Sequence, residues 1–168
     1  MKIYLTTDTH FNHVDKMKEY CDRPDDYEIK IVKGFNRLKP EDTLIHLGDV
    51  CIGRDSVMHA QYIEPLPCKK ILVRGNHDSK SNNWYQSHGW DFVCDYFSIT
   101  RSGKAILFSH TPRAWDGYFD VNIHGHFHNA NHRRYEDEHK KVLGAGHKLL
   151  ALEYIDYQLV NLDSFLSI

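Results

Sequence analysis

Five short apolar runs in this 168-residue chain each end in a cluster of Asp, His, Asn and Gly, and this repetition constrains the fold more than any other feature. Residues 3–7 read as an opening strand that stops at Asp8 and His10. Residues 43–47 stop at Gly48-Asp49, and residues 70–74 run straight into Gly75-Asn76-His77-Asp78. Residues 105–109 stop at His110, and residues 120–123 at His124-Gly125-His126-Phe127-His128. Helical patterns separate the first three runs. One covers residues 12–20 and is broken by Arg23-Pro24. A second carries Tyr27, Ile31, Phe35 and Leu38 at helical spacing up to Pro40, and a third covers residues 56–63 before Pro65 and Pro67. Such alternation implies a parallel sheet.

The second half of the chain changes character. A short helix is expected over residues 81–88. Residues 92–100 and 105–109, joined by Arg101-Ser102-Gly103-Lys104, read as a hairpin. Residues 129–146 read as a polar loop, 149–155 and 157–162 as closing strands, and 164–168 as a tail. The expected fold class is α/β: a single domain over residues 1–168, a sandwich of two mixed sheets flanked by helices. In such sheets the carboxyl ends of parallel strands lie along one edge, where ligands bind. Clusters far apart in sequence would then meet in one crevice.

The donor chemistry of the clusters points to metal. Asp, His and Asn suit borderline divalent ions, and no thiolate occurs in any cluster. The chain holds 13 histidines, a large excess for its length, and neutral imidazole is the commonest metal ligand. Asp8-x-His10 and His126-x-His128 are i, i+2 pairs that in extended geometry would face one side. Two ions roughly 3.5–4 Å apart are helped by a shared carboxylate, and Asp49, lying between the two halves, is the natural bridge. Taken singly, an Asp or His after a strand is more often a turn residue or a helix cap. The ordered set of five carries the reading.

Composition excludes other classes. A net charge of −2 is unlike that of a protein that wraps a polyanion. Cys21, Cys51, Cys68 and Cys94 are widely spaced and read as buried thiols of a reducing compartment. The first apolar run is too short for a signal peptide and no stretch reaches membrane-spanning length, so a cytoplasmic location without membrane contact is expected. Of the remaining histidines, His13, His46 and His124 flank the motifs and read as supporting groups. His59, His88, His132, His139 and His147 read as surface residues. Trp84 and Trp90 read as core or rim, and Trp115, shortly after His110, as a residue that could line a pocket.

Asp8-x-His10, Gly48-Asp49, Gly75-Asn76-His77-Asp78, the lone His110 and Gly125-His126-x-His128 closely resemble the five signature blocks of the calcineurin-like metallophosphoesterases. Asp8-Thr9-His10-Phe11-Asn12-His13 and His46-Leu47-Gly48-Asp49 resemble the small bacterial and phage members. The resemblance spans residues 8–128. It implies that Asp8, His10, Asp49 and His128 bind one divalent ion, and that Asp49, Asn76, His110 and His126 bind a second. A hydroxide shared by the ions would attack phosphorus, and His77 would serve the leaving oxygen. Mn²⁺ is the expected metal, although Fe, Zn, Co or Ni would suit the same donors.

One block departs from the family pattern. Where many members read G-D-x-x-D-R-G, this chain has Gly48-Asp49-Val50-Cys51-Ile52-Gly53-Arg54, with Ile52 at the second Asp. Asp78 or Asp55 would have to orient His77 instead, and Arg54 or Arg113 would have to grip phosphate. The expected activity is a phosphoesterase, with diesters favoured over monoesters. Its expected partner is a small phosphorylated substrate such as a nucleotide or a nucleic-acid end. A scaffold of the same fold is the alternative, and metal-dependent turnover discriminates the two. A closed structural zinc site, which favours thiolates, fits the donor set poorly.

Overall fold

A computed structural model describes residues 2–129 and 137–167. Nine strands and six helices occur among them in the order β1 (Ile3–Thr6), α1 (Val14–Cys21), α2 (Tyr27–Phe35), β2 (Thr43–His46), α3 (Asp55–Tyr62), β3 (Lys69–Val73), α4 (Asn82–Ser87), β4 (Phe92–Cys94), β5 (Tyr96–Arg101), β6 (Lys104–Ser109), β7 (Val121–His124), α5 (Asp137–Lys141), β8 (His147–Leu149), β9 (Val160–Asn161) and α6 (Leu162–Leu166).

The strands form two mixed sheets. The first has the order β4-β3-β2-β1-β9, parallel except for β9. The second has the order β5-β6-β7-β8, with an antiparallel β5–β6 hairpin and parallel neighbours beyond it. This is the expected α/β sandwich with flanking helices.

Two apolar cores account for the layers. Leu5, Ile45, Leu47 and Val73 from the first sheet meet Ile106, Phe108 and Ile123 from the second between the sheets. Leu44, Leu72 and Val93 face the other way, onto Met17, Ile31, Phe35, Met58, Tyr85 and Trp90 of the helical layer. Adjacent residues such as Leu44 and Ile45 therefore enter opposite cores, because successive side chains on a strand point to opposite faces. A central strand buried on both faces reads as an unbroken apolar run, which is why the first three strands were legible.

The second half departs from expectation in four places. Residues 92–100 are two strands broken at Asp95, because β4 adds to the first sheet while β5 opens the second. Residues 129–146 are not all loop, since α5 lies within them; residues 130–136 fall outside the described residues. The expected closing strands shrink to β8, a short 3₁₀ turn at Leu152–Tyr154, and the two-residue β9. The expected tail belongs to α6, where the Asn161 side chain accepts from the Asp163 and Ser164 amides and so caps the helix. Leu162 and Leu166, four residues apart, then enter the sandwich core. Apolar length alone did not separate a short strand from one turn of helix.

Candidate metal centre

Each donor cluster lies in the loop that leaves a strand, and backbone hydrogen bonds fasten the loops together. The Asp8 amide donates to the Gly48 carbonyl (2.8 Å), the His10 amide to the Asp49 carbonyl (3.0 Å), and the Gly125 amide to the His110 carbonyl (3.0 Å). Asp78 ties the second and third loops. Its carboxylate accepts from the amides of Asp49 (2.7 Å), Gly75 (2.8 Å) and Val50 (3.1 Å). The glycines of the motifs permit this closeness: a Cβ on Gly75 would collide with the Asp49 carboxylate, and one on Gly125 with Thr7 and Asp8.

The i, i+2 pairs are not extended. Asp8 (φ 47°), His10 (45°), Asp49 (58°), His126 (70°) and His128 (46°) all adopt the left-handed region. Each such non-glycine residue costs on the order of 1–3 kcal/mol, and this strain persists only where the surrounding structure enforces it. The pairs converge because the loops turn, and not because alternate strand residues share a face.

The sequence-identified donors gather in two groups. The ligand atoms of Asp8, His10 and His128 lie within 4.8 Å of one another, as do those of Asp49, His110 and His126. Asp49 joins the groups, with Oδ2 at 3.7 Å from His10 Nε2 and 3.4 Å from His110 Nε2. Asn76 Oδ1 is 3.0 Å from His110 Nε2, and His126 Nδ1 is 3.1 Å from it. His77 is half exposed, with Nε2 at 4.0 Å from Asp49 Oδ2 and its amide donating to Asp49 Oδ1 (2.9 Å).

The donor set fits a divalent cation. Asp8 Oδ1 and both ring nitrogens of His10 are buried without a hydrogen-bond partner, and orphaned buried polar atoms call for an explanation. Burial lowers the His10 pKa well below that of a free imidazole, outweighing the pull of Asp49, so the ring stays neutral and keeps a lone pair. Burial also lowers His126, to about 3, with the facing His110 adding to the shift.

The carboxylate-facing histidines behave otherwise. For His110 the burial penalty is outweighed by Asp49, which raises it to about 9. For His128 it is outweighed by Asp8, with Glu153 assisting, which raises it to about 10. Burial works against the Asp49 charge too, yet His110, His10 and His77 hold its pKa far below the carboxylate range. Protons and metal therefore compete for the same nitrogens, and metal capture releases protons.

Hydrogen bonds orient two of the candidate ligand histidines. His110 Nδ1–H donates to the Leu47 carbonyl (2.7 Å), which leaves the Nε2 lone pair facing Asp49. His128 Nδ1 lies 3.2 Å from both Glu153 Oε1 and the Arg23 guanidinium, and Nε2 faces Asp8 Oδ1 at 3.8 Å. The buried Arg23 guanidinium holds that carboxylate, with Nε at 2.8 Å and a terminal nitrogen at 2.7 Å from the same oxygen. Burial opposes the Glu153 charge, yet the bond to His128 and the charge of Arg23 bring its pKa down to about 2. Sequence reading missed both residues. Arg23 read only as a helix breaker, Glu153 lay inside an expected strand, and no motif links positions 130 apart.

Other expected residues fall away from the His77 ring. The Asp78 carboxylate is committed to the three amides above, and Asp55 accepts from the Cys51 thiol (3.5 Å) while facing Lys80 (3.8 Å). Neither orients His77. Arg54 caps α3 with its side chain exposed, and Arg113 is exposed over the Tyr96 ring, 4.4 Å from its centroid. His46 does support the site: its Nδ1 accepts from the Gly48 amide (3.1 Å) and its Nε2–H meets the Thr9 hydroxyl (2.9 Å). His59 is not a surface residue but fully buried, donating from Nδ1 to the Asp55 carbonyl (2.9 Å). His139 and His147 are only partly exposed, and His132 lies outside the described residues.

Comparison with known proteins agrees with this geometry. The family model described as calcineurin-like phosphoesterase matches residues 1–159. An uncharacterized protein of Methanocaldococcus jannaschii is 30% identical over 174 residues, which cover 96% of this chain and 88% of the relative. A crystal structure of a protein of unknown function from Aquifex aeolicus superposes with a TM-score of 0.73 at 28% identity, over 99% of this chain and 98% of that one. An archaeal phosphodiesterase matches 75% of this chain and 73% of its own, with a TM-score of 0.45 and 22% identity.

Proposed function

The chain belongs to the calcineurin-like phosphoesterases, and from that premise we propose that it is a two-metal phosphodiesterase acting on a small phosphorylated substrate such as a nucleotide. The carrying observation is the shared carboxylate: Asp49 Oδ2 stands between His10 Nε2 (3.7 Å) and His110 Nε2 (3.4 Å), with a donor group on each side. Asp8, His10, Asp49 and His128 would hold one ion, and Asp49, Asn76, His110 and His126 the other. Two bound divalent cations, Mn²⁺ by preference and Fe, Zn, Co or Ni as substitutes, would supply the Lewis acidity that activates water and offsets phosphoryl charge.

The chain's own groups supply position and protons. Asp78 fixes the Asp49 and Gly75 loops in register, so the bridging carboxylate does not reorganise during turnover. The Leu47 carbonyl keeps His110 in the tautomer that exposes Nε2, and Glu153 with Arg23 orients the His128 ring. His77, half exposed at the mouth beside Asp49, can hand a proton to a leaving alkoxide. Arg54 is the candidate phosphate-binding cation, since Arg113 stands over the Tyr96 ring. The described helices include none long and apolar enough to cross a membrane. All four cysteines are free thiols.

The test begins with chelator-treated protein. Cleavage of bis(p-nitrophenyl) phosphate and p-nitrophenyl phosphate is then measured with added Mn²⁺, Ni²⁺, Zn²⁺ or Mg²⁺, beside Asp49→Asn. Metal-restored turnover lost in Asp49→Asn, faster on the diester, is the expected result. Two bound ions with no turnover on either ester would favour the scaffold alternative.

A further inference from the structure

Beside the metal centre, on the face of the second sheet turned away from the sandwich, lies a groove of about 590 Å³. Phe97, Ile99, Ile106 and Phe108 enter the core between the sheets, so Tyr96, Ser98 and Leu107 face outward, and residues 111–119 fold over them. The volume falls within the range of roughly 300–1,000 Å³ found for small-molecule sites.

The groove adjoins the centre at two points. Its covering loop starts at Thr111, directly after His110, and one wall is His139, whose ring meets that of His126 edge-on with centroids 5.3 Å apart.

The loop is braced. Both backbone groups of Arg113 are held, its amide donating to Asn122 Oδ1 (2.8 Å) and its carbonyl accepting from His147 Nε2–H (2.8 Å). Trp115 Nε1–H donates to the Phe119 carbonyl (3.1 Å), and the Tyr118 amide donates to Asp116 Oδ1 (3.0 Å). A loop held in this way presents a shape before any ligand arrives, which lowers the ordering cost of binding.

The lining selects a chemistry. The Arg113 guanidinium carbon stands 4.4 Å from the centroid of the Tyr96 ring, which places a cation and an aromatic surface side by side for a planar group to stack on. Tyr96 is 51% exposed and Tyr118 83%, large aromatic surfaces left to water around one opening. Ser98 and Asp116 add a hydroxyl and a carboxylate able to accept hydrogen bonds from the amino and ring N–H groups of a base, which a hydrocarbon lacks. We propose that this groove holds the purine or pyrimidine base of a nucleotide whose phosphate lies at the metal centre. The base site stands on the groove alone, while the placing of the phosphate rests on the phosphoesterase reading above.

The probe is adenosine, which carries no phosphate, titrated into the isotope-labelled protein and followed by amide NMR with and without diamagnetic Zn²⁺. The expected result is saturable shifts at residues 96–98 and 111–119, with none on adding ribose 5-phosphate. Ser98→Trp, which fills the groove, and Tyr96→Ala, which removes one stacking face, should each weaken adenosine binding by roughly tenfold or more, the scale of one lost base-stacking contact. Thermal midpoints near that of the parent show that the variants are folded. No shifts at the groove, or affinity within twofold in both folded variants, would overturn the proposal. Adenosine binding without cleavage of any ester would remove the phosphoesterase reading and leave the base site standing; ester cleavage without adenosine binding would do the reverse.

Discussion

The two halves of the metal centre solve one problem by opposite means. In the half built on Asp8, His10 and His128, every donor residue is buried, and His128 takes its orientation from Glu153, which the buried Arg23 holds in turn. In the half built on Asp49, Asn76, His110 and His126, orientation comes from the backbone. The Leu47 carbonyl fixes His110 and three amides anchor Asp78 beneath the loops, while Asn76 and His77 are open to solvent. The Leu47 carbonyl follows β2 of the first sheet and His110 follows β6 of the second, so this bond is set once the two sheets pack together. A buried ion pair must be assembled from distant parts of the chain and must offset its own desolvation. The closed half is thus a fixed anchor, and the open half is the side that reaches solvent.

The largest effect should come from the group common to both halves. Asp49→Asn is expected to lower metal-dependent turnover on the order of 10³-fold, since metal Lewis acidity contributes several kcal/mol. Metal analysis of the same variant should show fewer than two ions per chain. Two retained ions with near-parental rates would remove the bridge and with it the pairing of the halves.

Next comes the anchor. Arg23→Met leaves Glu153 buried with its cation gone, a change that costs about 3–5 kcal/mol when one partner of a buried pair is removed. Thermal or denaturant unfolding reads it directly. A loss below about 1 kcal/mol, the scale of an exposed pair, would mean that the closed half is not held by this ion pair.

Glu153→Gln is milder and more specific. It should weaken one ion by roughly 10–100-fold, as loss of an outer carboxylate on a ligand histidine does, and leave the second ion near its parental affinity. Two-site metal titration separates the cases, and equal weakening of both sites would show that the halves are not independently supported.

The smallest effect concerns acid. Burial lowers the His46 pKa to about 3, against about 6.5 for the same side chain in the unfolded chain. The folded protein keeps this ring neutral while the unfolded chain takes up a proton below pH 6.5. Its contribution is therefore intact above that pH and is lost as pH falls toward about 3, by at most ~1.4 kcal/mol per pH unit. His46→Gln should flatten the fall of thermal midpoint between pH 6.5 and 4. An unchanged slope would assign the acid sensitivity to other groups.

Much of the fold could be read from the chain because its central strands are buried on both faces and so appear as apolar runs that end abruptly in polar clusters. The same burial made Asp8, Asp49, Asn76, His110 and His126 recognisable as a set. Where strands were short and edge-like the reading failed. Residues 92–100 appeared as one strand because nothing local marks the move from one sheet to the other at Asp95. Residues 149–162 are apolar enough for strands but mostly fold as single turns.

Local order along the chain determined which residue types stand at the ends of which strands, and with that the donor set and its metal chemistry, because strand direction and the alternation of faces are short-range properties. Only the tertiary structure decided how those donors are held. The left-handed turns at Asp8, His10, Asp49, His126 and His128, the burial of His59, and the Arg23–Glu153–His128 chain all depend on contacts between segments far apart in sequence. The reason is physical: a side chain's hydrogen-bond partner and its desolvation are set by what packs against it, and for these residues that includes other helices and loops, some more than 100 positions away, that no local pattern encodes.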